Sequence, residues 1–217
     1  MRVDIWSDIV CPWCYLGKRR FERALEAFED RAEVHVVHRS FQLDPTRPKG
    51  QTQNRREMLM SKYHLPAAQV EVMDARMEQT AAADGLEYHL RPDGVTGNTY
   101  DAHRLLHLAA ARGQQDVTLD RFYRAYFTEG RSVFDDASLT MLAVESGLDA
   151  ADVERVLTSD AYAAEVTADV REAQALGANG VPFFVVDHRF GVSGAQSTDV
   201  FAQVLARARE SRVTSNR

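Results

Sequence analysis

The 217 residues are 45% hydrophobic and 27% charged, a composition that buries one large core or two small ones and excludes a disordered chain. A net charge of −6 argues against a nucleic-acid partner and against binding to an anionic membrane surface, since both need a basic footprint. No run approaches the roughly 18 consecutive apolar residues of a membrane span.

In chain order, Val3–Ser7 reads as a buried strand that ends just ahead of two cysteines. Asp4 and Asp8 interrupt what would have to be the apolar stretch of a secretory leader, so a reducing cytoplasm is the expected location. A helix is expected from about Cys14 to Phe28, with Phe21, Ala24, Leu25 and Phe28 on one apolar face. Val34–Phe41 is the next strand, closed by the turn signals Asp44-Pro45 and Pro48-Lys49-Gly50.

From about Thr52 to Leu176 the pattern is helical throughout. Val70, Met73, Met77 and Ala81 form one stripe, stopped by Gly85. Ala102, Leu105, Leu106 and Ala109 form another, with Asn98 as N-cap and Gly113 just past the end. Further helices are expected over Val117–Thr128, from an Asp136 cap to Gly147, over Ala150–Leu157 and over Asp160–Leu176. The chain then returns to β: Phe183–Val186 and Phe190–Val192, joined by a two-residue Asp187-His188 turn. A last helix runs from about Ser197 to Arg209, with Asp199 in its first turn, and residues 211–217 are expected to fray.

The order β-α-β, helical block, β-β-α predicts an α/β fold. Residues 1–50 and 177–210 hold the inventory of a thioredoxin-like core, and 51–176 read as a large all-helical insertion domain.

The chemistry sits on Cys11 and Cys14, the only cysteines in the chain. A disulfide between them would close too short a loop to stabilise much, so the pair reads as a reagent rather than a staple. A Cys-x-x-Cys between a strand and an amphipathic helix is the redox context. At the helix start, unpaired N–H groups and the dipole favour negative charge on the Cys11 sulfur. Cys11 would attack a partner disulfide, and Cys14, one turn deeper, would resolve the mixed disulfide. Pro12 suits the first helical position. Trp13 would shield or line the site, and its neutral ring stabilises a thiolate less than a protonatable residue would. Two inert buried thiols are the bland alternative. A zinc site would need two more ligands; His103 and His107, on one helical face roughly ninety residues away, match no compact zinc module, and no metal is expected.

The second element is Gly180-Val181-Pro182-Phe183. In isolation Pro182 reads as a strand-initiating proline. Together with the upstream cysteines it reads as a cis-proline that brings Gly180, Val181 and their peptide groups up to the thiols, where an extended substrate could pair with them. Asp8 is either a proton relay or, the favoured reading, a turn carboxylate. Lys18 and Arg19 read as solvated, His103 and His107 as satisfied or surface histidines. Met58, Met60, Met73 and Met77 read mostly as core, a minority lining a greasy cleft.

On these residues the sequence resembles the DsbA family of the thioredoxin superfamily, in its FrnE-like branch. The resemblance spans nearly the whole chain. It rests on Asp8-Ile9-Val10-Cys11-Pro12-Trp13-Cys14-Tyr15-Leu16-Gly17, Phe41-Gln42-Leu43-Asp44-Pro45, Asn98-Thr99 with Ala102-His103-Arg104, Gly180-Val181-Pro182-Phe183-Phe184 and Ser193-Gly194-Ala195-Gln196. It implies a thioredoxin fold with a helical insertion, Cys11 as nucleophile, Cys14 as resolving thiol and Pro182 as cis-proline. It departs from the family's periplasmic oxidants, which usually carry His where Trp13 stands, and from relatives with an extra C-terminal cysteine pair.

The expected activity is thiol–disulfide exchange on a disulfide-containing protein or small thiol, with no bound cofactor. Without a further cysteine pair, an external redox partner, glutathione or another thiol, must recycle the dithiol. The same resemblance leaves open a kappa-type glutathione-dependent isomerase or transferase acting on a small aromatic substrate. A non-catalytic holdase is the third reading. Either a monomer or a homodimer is compatible with the sequence.

Overall fold

Val3 and Ile5 alternate with Asp4 and Trp6, and that period of two sends the two pairs to opposite faces of a strand. The strand is β1 (Arg2–Ser7) of a computed structural model that describes residues Met1–Ser215. It lies at the centre of a four-stranded sheet together with β2 (His35–Ser40), β5 (Phe183–Val186) and β6 (Phe190–Ser193), in the order β2-β1-β5-β6. β1 pairs parallel with β2, and antiparallel with β5 in a register that sets Ile5 opposite Phe184. The parallel pair needs a crossover, supplied by α1 (Pro12–Glu26) and a turn of 3-10 helix at Arg31–Glu33.

One compact unit comprises Met1–Phe41 and Asp169–Arg217. On one face of its sheet, Val3, Ile5, Phe184 and Val186 pack with Phe21 and Ala24 of α1. Phe201, Leu205 and Ala208 of α9 (Thr198–Ser215) complete that core. Phe184 and Phe201 meet edge to face at 4.6 Å between ring centroids. Trp6 and Val185 occupy the other face, with Ala173 from α8 (Ala163–Ala175). Asp4 shares that face. It is buried, and it accepts hydrogen bonds from Arg2 and Arg39 at 2.8 and 2.9 Å. Burial works to raise the Asp4 carboxyl, but the two guanidiniums overcome it and hold the group below the ordinary aspartate range.

The second unit, Gln42–Ala168, is mostly helical: α2 (Arg55–Tyr63), α3 (Ala67–Ala83), α4 (Tyr100–Ala111), α5 (Gln115–Phe127), α6 (Asp136–Glu145), α7 (Ala150–Leu157) and the start of α8. Leu105 and Leu108 of α4, Phe122 and Tyr123 of α5, Leu142 of α6 and Val156 of α7 are buried. Arg104, 1% exposed, donates to Asp101 at 2.7 Å and to the carbonyls of Ala161, Val156 and Ser159, tying α4 to the end of α7.

The structure corrects several sequence expectations. The insertion is not all-helical: β3 (Thr52–Asn54) and β4 (Val95–Gly97) form an antiparallel pair inside it. The units divide at 41/42 and 168/169, against the expected 50/51 and 176/177. Asp135, not Asp136, caps α6 by accepting from the Ser138 N–H, and Thr99, not Asn98, stands at the α4 N-cap, although the Asn98 side chain accepts from the Tyr100 N–H at 2.8 Å. Met73 turns outward from the α3 stripe whose other members are buried. The last helix continues to Ser215, past the point where fraying was expected; Asn216 and Arg217 lie outside the described residues. The turn after β5 is as expected, with Asp187 and His188 at φ 49° and 54°, the pair of positive values a type I′ hairpin requires. Among the described residues, no helix is long and apolar enough to cross a membrane.

Candidate active site

β1 ends at Ser7, and a tight turn follows in which the Cys11 N–H donates to the Asp8 carbonyl at 3.1 Å. Cys11 is the N-cap of α1, with extended backbone angles (φ −89°, ψ 112°) and Pro12 opening the helix. Its side chain makes no capping bond to the helix, and the first turn holds no acidic residue, a setting that favours an anion at the tip.

Both cysteines are reduced and buried, Cys11 at 5% and Cys14 at 1% exposure. The two free thiols lie near each other. Burial pushes the Cys14 thiol well above the ordinary thiol range. The neighbouring Cys11 acts in the same direction, and a backbone hydrogen bond from Asp8 acts against both. That direction favours the S–H form of Cys14.

The Cys11 S–H donates to the Val181 carbonyl oxygen at 3.5 Å. The Val181–Pro182 peptide is cis, and Pro182 is buried directly before β5. The two motifs singled out in the sequence thus meet at Cys11 and Val181. Gly180 lies next to them with open space where a Cβ would go.

Trp13, between the cysteines, is 47% exposed. It lines the surface beside the buried pair rather than covering it. Asp8 is buried, and its carbonyl closes the turn. Lys18 departs from the solvated expectation: it is 2% exposed and ion-paired with Glu22, one turn on. The reason is its place on α1, four residues after Cys14 on the inward face. Arg19 stays partly exposed. His103 is buried in α4, and His107 stacks on Tyr162 with centroids 6.3 Å apart.

Two contributors carried no role in the sequence reading. Gly17 sits inside α1, where a Cβ would come within 2.9 Å of the Pro182 ring. Arg20 donates to the Ala195 carbonyl at 2.8 Å. The available signal was a glycine in a helix interior, a costly choice that calls for a packing reason.

The chain matches the family model of the DSBA-like thioredoxin domain over residues 2–206. It is 25% identical over 209 residues to YwbO of Bacillus subtilis (strain 168), described as uncharacterized, covering 95% of this chain and 96% of that one. Its structure is similar to the crystal structure of the probable DsbA oxidoreductase SCO1869 from Streptomyces coelicolor, with a TM-score of 0.93 and 54% identity over 97% of this chain and 90% of that one. The cytosolic disulfide reductase DsbM from Pseudomonas aeruginosa, solved with GSH, shares the fold at a TM-score of 0.66 and 20% identity, over 96% of this chain and 100% of that one.

Proposed function

The chain belongs to the DSBA-like thioredoxin domain family, whose DsbA-type members are thiol–disulfide oxidoreductases, and on that premise we propose that it is a cytoplasmic reductase of protein or small-molecule disulfides, working through Cys11 and Cys14. The observation that carries this reading is the inequality of the two sulfurs. Cys11 occupies the tip of α1 beside the Val181 carbonyl, whereas Cys14 lies one turn deeper with its thiol raised by burial.

Cys11 thiolate attacks one sulfur of the substrate disulfide, forming a mixed disulfide and expelling the other sulfur as a thiolate that takes up a proton. Cys14 then loses its proton and attacks the Cys11 sulfur. The Cys11–Cys14 disulfide forms and the second substrate thiol leaves. Two electrons pass from the dithiol to the substrate. Two equivalents of an external thiol, such as glutathione, restore the pair and leave as their own disulfide.

Two observations support the reducing direction. Trp13 adds no positive charge beside the thiolate, so the reduced form lacks the stabilisation that makes a strong oxidant. DsbM, which shares the fold, is named a cytosolic disulfide reductase and was solved with GSH. Backbone groups at Val181 would pair with the extended substrate.

Insulin reduction by wild type, Cys11→Ser and Cys14→Ser tests the proposal. Turnover in wild type, its loss in Cys11→Ser and a trapped mixed disulfide in Cys14→Ser support it. Undiminished reduction by Cys11→Ser overturns it. Glutathione-dependent isomerisation surviving that substitution would favour the isomerase reading, and suppression of client aggregation without any turnover the holdase reading.

A further inference from the structure

A glycine inside an α-helix costs about 1 kcal/mol relative to alanine. Gly17 has no positive φ to account for its presence in α1. What it provides is room. A Cβ at Gly17 would lie 2.9 Å from Pro182 Cγ and 3.4 Å from the Cα and Cβ of Ala195. The Pro182 ring is rigid, so it cannot swing away as the end of a long side chain would.

The backbone of Pro182 is held as well. The Gly194 N–H donates to the Pro182 carbonyl at 2.8 Å. The loop carrying Gly194 is closed on itself: the Gln196 side chain donates to the Ser193 carbonyl and the Gln196 N–H to the Gly194 carbonyl. Arg20, one turn beyond Gly17, then fastens this loop to α1 through the Ala195 carbonyl at 2.8 Å. β5 and β6 already pair from Phe183 to Ser193, so this tie is not needed for sheet register. It fixes the segment just outside the sheet, and that segment ends at the Val181 carbonyl, 3.5 Å from the Cys11 sulfur.

We infer that Gly17 and Arg20 are positioning residues: together they seat Pro182 against α1 and so set where the Val181 backbone meets Cys11 and a docked polypeptide. Neither touches the reacting sulfur in the contacts described. The inference rests on the reading of Cys11 as the attacking thiol.

The test compares two disulfides in the full-length chain: insulin, which needs backbone pairing at Val181, and the small aromatic disulfide 5,5′-dithiobis(2-nitrobenzoate), which needs only the sulfur. Because a shift of about 1 Å can cost up to a hundredfold, Gly17→Ala and Arg20→Ala are expected to lose at least about tenfold in kcat/KM on insulin. The loss should lie chiefly in KM, with the small disulfide reacting within about twofold of wild type. Arg20→Lys should recover most of it, because one N–H suffices for the Ala195 carbonyl. A melt of each variant shows whether it is folded; if the clash with Pro182 unfolds Gly17→Ala, the Arg20→Ala and Arg20→Lys pair decides. Equal losses on both disulfides, or unchanged insulin kinetics in folded variants, overturn the inference. Wild type inert towards both disulfides overturns the functional reading instead, and this inference with it.

Discussion

Arg39 of β2 reaches Asp169 of α8 at 2.9 Å, while the other carboxylate oxygen of Asp169 accepts the Ser40 N–H at 2.8 Å. Arg39 also holds Asp4, and Trp6 donates its indole N–H to the Asp169 carbonyl. A charged, hydrogen-bonded seam thus runs under the central strand on the face opposite α1 and α9, where a purely apolar layer would otherwise lie.

Asp4→Asn should lower the unfolding free energy by about 1–2 kcal/mol, because it weakens the charge-assisted hydrogen bonds from Arg2 and Arg39 while Arg39 keeps Asp169. The Asp4 carboxyl is held below its ordinary value. Its stabilising contribution is therefore present above about pH 4, the unfolded aspartate value, and is lost as pH falls through the lower folded value. Denaturant melts from pH 7 to pH 2 should show a decline in acid that is shallower in Asp4→Asn. An equal acid slope in both proteins would refute the assignment.

The Cys14 thiol is raised, so the sign reverses. The reduced protein keeps this contribution in full below about pH 8.5, where an unfolded thiol ionises, and loses it as pH rises towards the folded value. Melts of the reduced protein should fall off above pH 8.5, and Cys14→Ala should flatten that limb. In Cys11→Ser, iodoacetamide should alkylate Cys14 only slowly, with a midpoint above that of a free thiol.

Replacing Trp13 by His puts an ionisable ring beside the helix tip. Where the imidazole is charged, at or below about pH 6.5, it should stabilise the thiolate and hence the reduced form. The reduction potential against glutathione is expected to rise by about 30 mV or more, a tenfold change in the exchange constant. A potential unchanged at pH 6 would show that the middle residue does not tune the pair.

Arg104→Ala should cost about 3–5 kcal/mol, as the loss of a buried, fully paired charge does. Arg104→Lys should recover little, because a single ammonium cannot reproduce the forked contacts to Asp101 and three carbonyls. Urea unfolding of the three proteins gives the comparison, and full rescue by Lys would contradict this account.

Much of the fold was legible because local chemistry and tertiary structure agree. The Cys-Pro-Trp-Cys step between strand and helix, the Phe21 and Ala24 face, the Ala150–Leu157 helix and the Asp187-His188 turn each carry their own local signal. β3 and β4 did not: three residues each show no period, and Thr52-Gln53-Asn54 becomes a strand only through pairing with Val95–Gly97. Lys18 escaped for the opposite reason. Its charge suggests solvent, and only the packing of α1 buries it beside a Glu22 partner. At the site, the cysteines and Pro182 were readable as motifs. The parts played by Gly17 and Arg20 depend on a loop more than 170 positions further along the chain, which no local pattern reports.

The contact between Cys11 and Val181 joins residues 170 positions apart. On a ribosome adding about 5–20 residues per second, the cysteines emerge some 10–30 s before the carbonyl that faces one of them exists. During that interval both sulfurs travel on a nascent chain, open to whatever oxidant or thiol the surroundings hold. The contact that faces Cys11 can therefore form only after α1 has long been made, when Val181 and the strands that follow it have joined β1.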